Sequence, residues 1–151
     1  MSNGATLSHE TTLLVRDCCL CLHVQRAARA LARRFDEALR SLELTNGQFS
    51  LLMSLNRPDP PAMADVASLL AMDRTTLTAA LKPLERRRLV RVTRDPGDRR
   101  SRVITLTTKG MKLLVRAVPV WQRTHEEVDR LLPEGDPQRL RRELRLLSSG
   151  G

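Results

Sequence analysis

Aromatic residues are scarce: the 151-residue chain has two phenylalanines, one tryptophan and no tyrosine. With 41% hydrophobic residues, its core must be built from Leu, Val and Ala, which points to a mainly helical domain of modest size. No run of eighteen or more uncharged apolar residues occurs, so no membrane-spanning helix is expected. The stretch MSNGATLSHETTLLVRD lacks the basic region and apolar core of a signal peptide. A soluble, cytoplasmic protein with no membrane partner is the expectation. All three cysteines lie in DCCLCLH, which leaves none at a distance for a disulfide framework. Gly-rich phosphate loops and serine-nucleophile motifs are missing. His9, His23 and His125 are scattered, and His125-Glu126-Glu127 lacks the second histidine of a metalloprotease helix. Neither an enzyme nor a cofactor or resident metal is expected, and His125 reads as a helix-surface residue.

Positive charge is abundant, and it is confined. The formal net charge is +9. Residues 74–112 hold twelve basic residues (Arg74, Lys82, Arg86, Arg87, Arg88, Arg91, Arg94, Arg99, Arg100, Arg102, Lys109 and Lys112) against Glu85, Asp95 and Asp98. The whole excess therefore sits in about a quarter of the chain, the remainder being balanced. Charge spread over a surface serves solubility, whereas a block in one supersecondary unit is the footprint expected for a polyanion.

Residues 11–42 contain no Gly or Pro and carry apolar residues at helical spacing, reading as one long helix or a short one leading into a long one. Asn46-Gly47 breaks the pattern before a short helix over 48–56, and RPDPP (57–61) permits only an extended connection. A two-turn helix from residue 63 should turn Val66, Leu69 and Leu70 inward, with small Ala67 at a helix crossing. Asp73 is a good N-cap for the next helix, on which Leu77, Leu81 and Leu84 share one face and Thr75, Ala79, Lys82 and Arg86 the other. Pro83 predicts a kink or loosening there. VRVTR (90–94) and SRVITL (101–106) alternate as strands, and Asp95-Pro96-Gly97-Asp98 has the signature of a type II turn within a six-residue loop. Thr107 or Thr108 should cap a helix running to about Leu132, bent at Pro119, and a last amphipathic helix spans 138–148. Long amphipathic end helices beside a small centre suggest packing against a second copy in a two-fold dimer.

Helix, short turn, second helix with a polar outer face, then a basic hairpin: this order describes a helix-turn-helix followed by a wing, with the second helix in a major groove and a hairpin arginine in the adjacent minor groove. The DNA-contacting set is expected to be Arg74, Thr75, Thr76, Thr78, Lys82, Arg86, Arg94, Asp98, Arg99, Arg100 and Arg102, with Asp98 orienting an arginine. The stretch DRTTLTAALKPLERRRLVRVTRDPGDRRSRVITLTTKG (73–110) closely resembles the recognition helix and wing of the MarR family of bacterial winged-helix regulators, including its D-x-R motif, here Asp98-Arg99-Arg100. The helix order over 11–148 also fits.

That resemblance implies a winged helix-turn-helix with long N- and C-terminal dimerisation helices, an obligate homodimer, and a palindromic double-stranded DNA operator, usually repressed. It would place recognition-helix contacts on Thr75, Thr76, Thr78 and Lys82 and the minor-groove arginine on Arg100. Arg88 departs from the pattern, in which a glycine or small residue often precedes the strand. The expected organisation is a flexible N-terminus (1–10), a dimerisation region (11–42 and 111–151) and a DNA-binding region (46–110) in one continuous domain. An architectural DNA-binding protein and a protein-interaction module are the competing readings.

Two sensors are open. Relatives bind small aromatic or amphipathic effectors between the long helices and the winged-helix lobe, for which Leu22, Arg26, Phe49, Leu52 and Met53 are the candidate lining, with Arg26 as a carboxylate partner. Alternatively Cys18, Cys19 and Cys21, with His23 nearby, could sense oxidants or a soft metal, a C-x-x-C near a helix start favouring the thiolate. The alternative is that the same cysteines serve as small apolar residues in a helix packed at a dimer interface, which is common. Peroxide-sensing members of the family support the reactive cysteine with tyrosines, and this chain has none.

Overall fold

In the computed structural model, which describes residues 5–149, seven helices and one hairpin follow in the order α1 (His9–Cys18), α2 (Leu20–Leu39), a 3-10 turn (Arg40–Leu42), α3 (Asn46–Ser54), α4 (Met63–Leu69), α5 (Arg74–Arg86), β1 (Val90–Asp95), β2 (Asp98–Leu106), α6 (Thr108–Asp129) and α7 (Pro137–Ser149). The first helical stretch is thus a short helix leading into a long one. Cys19 makes the break: its backbone is extended, and its thiol accepts the Leu22 N–H at the start of α2. Asn46-Gly47 lies inside α3 and does not interrupt it. Thr45 caps that helix in a reciprocal box with Gln48, which satisfies the first free N–H groups and lets the helix begin two residues early.

The core joins the C-terminal end of α2 to α3, α4, α5, the hairpin and the first half of α6, and is almost wholly aliphatic: Leu39, Leu51, Leu52, Val66, Leu77, Leu81, Leu84, Leu89 and Ile104 are fully buried. On α4 the inward stripe is Met63, Val66, Ala67 and half-buried Leu70, at i, i+3, i+4 and i+7, so Leu69 falls off it and is 61% exposed, against expectation. Both prolines are carried within their helices, Pro83 in α5 and Pro119 in α6. The extended 57–62 segment pairs with the hairpin: Ala62 bridges Val103, and the Ile104 N–H donates to the Pro61 carbonyl at 3.1 Å.

Outside this centre the packing is sparse. Neither α1 nor α7 buries a residue, and Leu14, Val15, Leu20, Leu140, Leu144, Leu146 and Leu147 all stand exposed. His125 is half-buried and packed, not a freely exposed residue of the helix surface. Its ring lies 4.8 Å from that of Trp121 and 5.7 Å from that of Phe35, because residue 125 falls one turn along the inner face of α6 from Trp121. No helix among the described residues is long and apolar enough to cross a membrane.

Candidate nucleic-acid interface

α5 is started by Asp73, whose carboxylate accepts the Thr76 N–H at 2.7 Å and the Thr76 hydroxyl at 3.0 Å. These bonds, the backbone one above all, hold its carboxyl below the ordinary aspartate range. With Leu77, Leu81 and Leu84 buried, the helix presents Thr75, Thr78, Ala79, Lys82 and Arg86 as one exposed stripe, while Arg74 and Thr76 flank it. The three threonines differ. Thr76 donates its hydroxyl hydrogen to the cap and Thr78 to the Arg74 carbonyl at 2.8 Å. Each can then only accept, as from a base amino group, whereas Thr75 makes no such bond and keeps a donor for a phosphate or base acceptor.

The hairpin differs from the expected loop. Residues 90–94 pair with 106–102, but Asp95 pairs directly with Asp98, so Arg99, Arg100 and Ser101 form a bulge on β2 with no residues opposite them. Only Pro96 and Gly97 turn the chain. No described glycine has a positive φ, so the turn is not type II. Asp95 stabilises it by accepting the Gly97 N–H at 2.9 Å. Asp98 likewise accepts the Arg100 backbone N–H at 2.9 Å, and among the described residues it pairs with no guanidinium. It therefore orients Arg100 through the backbone. A bulge bends its strand and re-aims side chains, and here it throws two arginines out beside the tip.

Ion pairing separates this region from the rest. Among the described residues every salt bridge lies on the terminal helices or the segments adjoining them: Arg16–Asp17, Arg34–Glu127, Arg40–Glu37, Arg130–Glu126, Arg139–Glu143, Arg141–Asp129, Arg142–Asp136 and the His125–Asp129 contact. None of the twelve cations of 74–112 has a carboxylate partner there. Arg94 and Arg102 even face each other across the hairpin, a like-charge pair that costs stability on its own. All eleven expected DNA-contacting residues are exposed. At the hairpin base, by contrast, Arg87 donates to the Glu43 carbonyl and Lys109 to the Arg87 carbonyl, so these two serve the fold.

The expected effector lining does not gather round one cavity. Phe49 and Leu52 belong to the core, Leu22 is half-buried and Met53 is partly exposed. Arg26 lies on the far side of α2 from Phe35, in a groove it shares with His23, Arg29 and Arg33. The winged-helix core claims Phe49 and Leu52 but not Leu22 or Met53, and helix geometry turns Arg26 away from them. Of the cysteines, Cys18 and Cys21 are exposed; Cys21 lies in the first turn of α2, and the thiol that caps that helix belongs to Cys19. No three His, Cys, Asp or Glu side chains among the described residues stand close enough to hold a metal ion. The soft-metal reading thus has no ligand set within one chain.

The MarR family model matches residues 44–101. The M. tuberculosis transcriptional regulator MosR, solved in complex with DNA, is 39% identical with a TM-score of 0.80, over 87% of this chain and 95% of that one. This chain belongs to the MarR family. The HTH-type transcriptional repressor NicR of Pseudomonas putida is 35% identical over 77 residues, 51% of this MarR-family chain and 49% of NicR, so the chain spans about half the length of that curated relative. The repressor CouR on a 23-mer DNA duplex is 29% identical with a TM-score of 0.72, over 96% and 98% of the two chains. CouR has also been solved with p-coumaroyl-CoA, at 27% identity and a TM-score of 0.75, over 86% and 91%. The hairpin of this MarR-family chain is the wing of a winged helix.

Proposed function

We propose that the protein is a homodimeric transcriptional repressor that binds a palindromic operator through α5 and the wing, acts in the cytoplasm by binding and not by catalysis, and is released by a small ligand. The observation that carries this reading is the set of twelve cations without carboxylate partners, including the Arg94–Arg102 pair. Repulsion of that kind is relieved by a polyanion. Thr75, Thr78 and Lys82 meet base edges. Arg74, Arg86, Arg94 and Arg102 meet phosphates, and Thr76 serves the cap and the flank. Arg99 and Arg100 enter the minor groove beside the wing, with Asp98 setting the backbone of Arg100. The DNA complexes of MosR and CouR support this use of the fold, and the p-coumaroyl-CoA complex of CouR supports release by a ligand. Such a ligand acts through its different affinities for the binding and non-binding states. The exposed leucines of α1 and α7 supply the surface for a second copy.

The test is fluorescence anisotropy on the DNA upstream of the protein's own gene. Arg100→Ala is expected to weaken binding by about 1–3 kcal/mol, and an unchanged affinity would remove the wing from the mechanism. A specific-to-nonspecific ratio near unity would leave only an architectural role. A second reading, release by oxidation, is favoured by the Cys19 thiol at the start of α2 between two exposed cysteines. Loss of binding after mild peroxide that added thiol restores is its signature, and binding indifferent to peroxide eliminates it.

A further inference from the structure

The three aromatic residues of this ring-poor chain do not scatter. Phe49 stacks on Trp121 at 6.0 Å, Trp121 contacts His125 at 4.8 Å and His125 contacts Phe35 at 5.7 Å, a continuous column across α2, α3 and α6. The column ends in a charged junction. Asp129 Oδ1 accepts a bond from Arg141 Nη2 of α7 at 2.6 Å, and His125 Nδ1 lies 3.5 Å from the same oxygen and 3.3 Å from the same guanidinium nitrogen. α7 has no buried residue, and among the described residues Arg141 makes its only side-chain hydrogen bonds to α6.

We propose that His125 is a proton-operated latch that sets how firmly α7 is held on α6. With its one proton on Nε2, a neutral imidazole accepts the Arg141 N–H at Nδ1, so the guanidinium has two acceptors, Asp129 and His125. Protonation turns Nδ1 into a donor: it loses the bond to Arg141, places a second cation beside it and competes for the one Asp129 carboxylate. The other charged group facing the junction is Glu126 of α6, which is paired with Arg130 at 3.8 Å. On α2 the junction meets Phe35, and Arg34 beside it is paired with Glu127 at 3.8 Å. Each of these carboxylates has a cation of its own, and Asp129 is the one that both His125 and Arg141 reach. Acidification therefore loosens α7. Its effect on the dimer rests on the function proposed above, but the latch itself does not.

The chain's single tryptophan reports on the junction directly, because a protonated imidazole against an indole quenches its fluorescence. The full-length protein is titrated from about pH 8.5 to about pH 5, where histidine changes charge. Trp121 emission is recorded together with amide exchange of residues 137–149 corrected for the intrinsic rate. Emission should fall in a single step that His125→Gln abolishes. Protection of α7 should drop by roughly fivefold or more over the same step, the lower end of coupling between linked sites. Asp129→Asn, which keeps the histidine, should leave α7 weakly protected at every pH. A step that survives His125→Gln, α7 protection that ignores pH, or wild-type behaviour in Asp129→Asn overturns the latch. Absent operator binding at every pH would overturn the repressor reading and leave the Trp121 titration standing.

Discussion

A Cβ on Gly110 would lie 2.3 Å from the Leu89 carbonyl oxygen and 2.7 Å from Leu106 Cδ1. The first contact is backbone, so no rotamer change relieves it, and α6 would have to move off the hairpin base. Its cap is set there as well: Thr107 Oγ1 donates toward the Arg88 and Leu89 carbonyls and accepts the Gly110 N–H. Gly110→Ala is expected to cost about 1–3 kcal/mol, read as a lower urea midpoint. Arg88 shows the opposite case. It holds a φ of 60°, a left-handed conformation that costs a residue bearing a Cβ about 1–2 kcal/mol. Arg88→Gly should therefore stabilise the protein by up to about 1 kcal/mol, read as a higher urea midpoint, the extra unfolded-state entropy of glycine offsetting part of the gain. A lower midpoint would show that the arginine side chain contributes more than its backbone costs.

The hairpin shows how one element is shaped by function against its own stability. Arg94 and Arg102 are opposite one another, and threonine suits a half-exposed strand better than a like-charged pair. Arg102→Thr is expected to stabilise the free protein slightly, by a few tenths of a kcal/mol. It should also weaken DNA binding uniformly across sequences and lower the salt slope by about one. A variant that changed neither property would place Arg102 outside the interface. The bulge at Arg99–Ser101 belongs to the same element: it lets the wing carry two further arginines without adding them to the cross-strand register.

For the molecule as a whole, two terminal regions contribute little to the core. α1 and α7 bury nothing, yet they carry leucines at helical spacing that a solitary subunit would leave in water. Ending the chain after Asp136 should leave the core folded while removing the surface that α7 offers to a second copy. Sedimentation should then show a shift toward monomer, and operator affinity should fall because two half-sites are no longer bound together. A truncated chain that stays dimeric would confine the interface to α1 and α2.

Periodicity and local chemistry carried the reading of the sequence a long way. The 3.6- and 2-residue patterns, the Asp73 cap and the block of positive charge located the helices, the strands and the recognition stripe, since each depends on residues near one another in the chain. What only the tertiary structure decided depends on residues brought together from afar or on how strands align. Cross-strand register turned a six-residue loop into a tight turn plus a bulge. Competition for the core took Phe49 and Leu52 away from the expected effector lining. His125, read as a surface residue, lies in an aromatic column because Phe35 is ninety positions earlier, and its partner Arg141 lies across the turn before α7. Asp129 was one helical turn from His125 and so within reach of sequence reasoning. The ring stacking and the second helix that give the pair its meaning were not, because packing and not sequence spacing sets those distances.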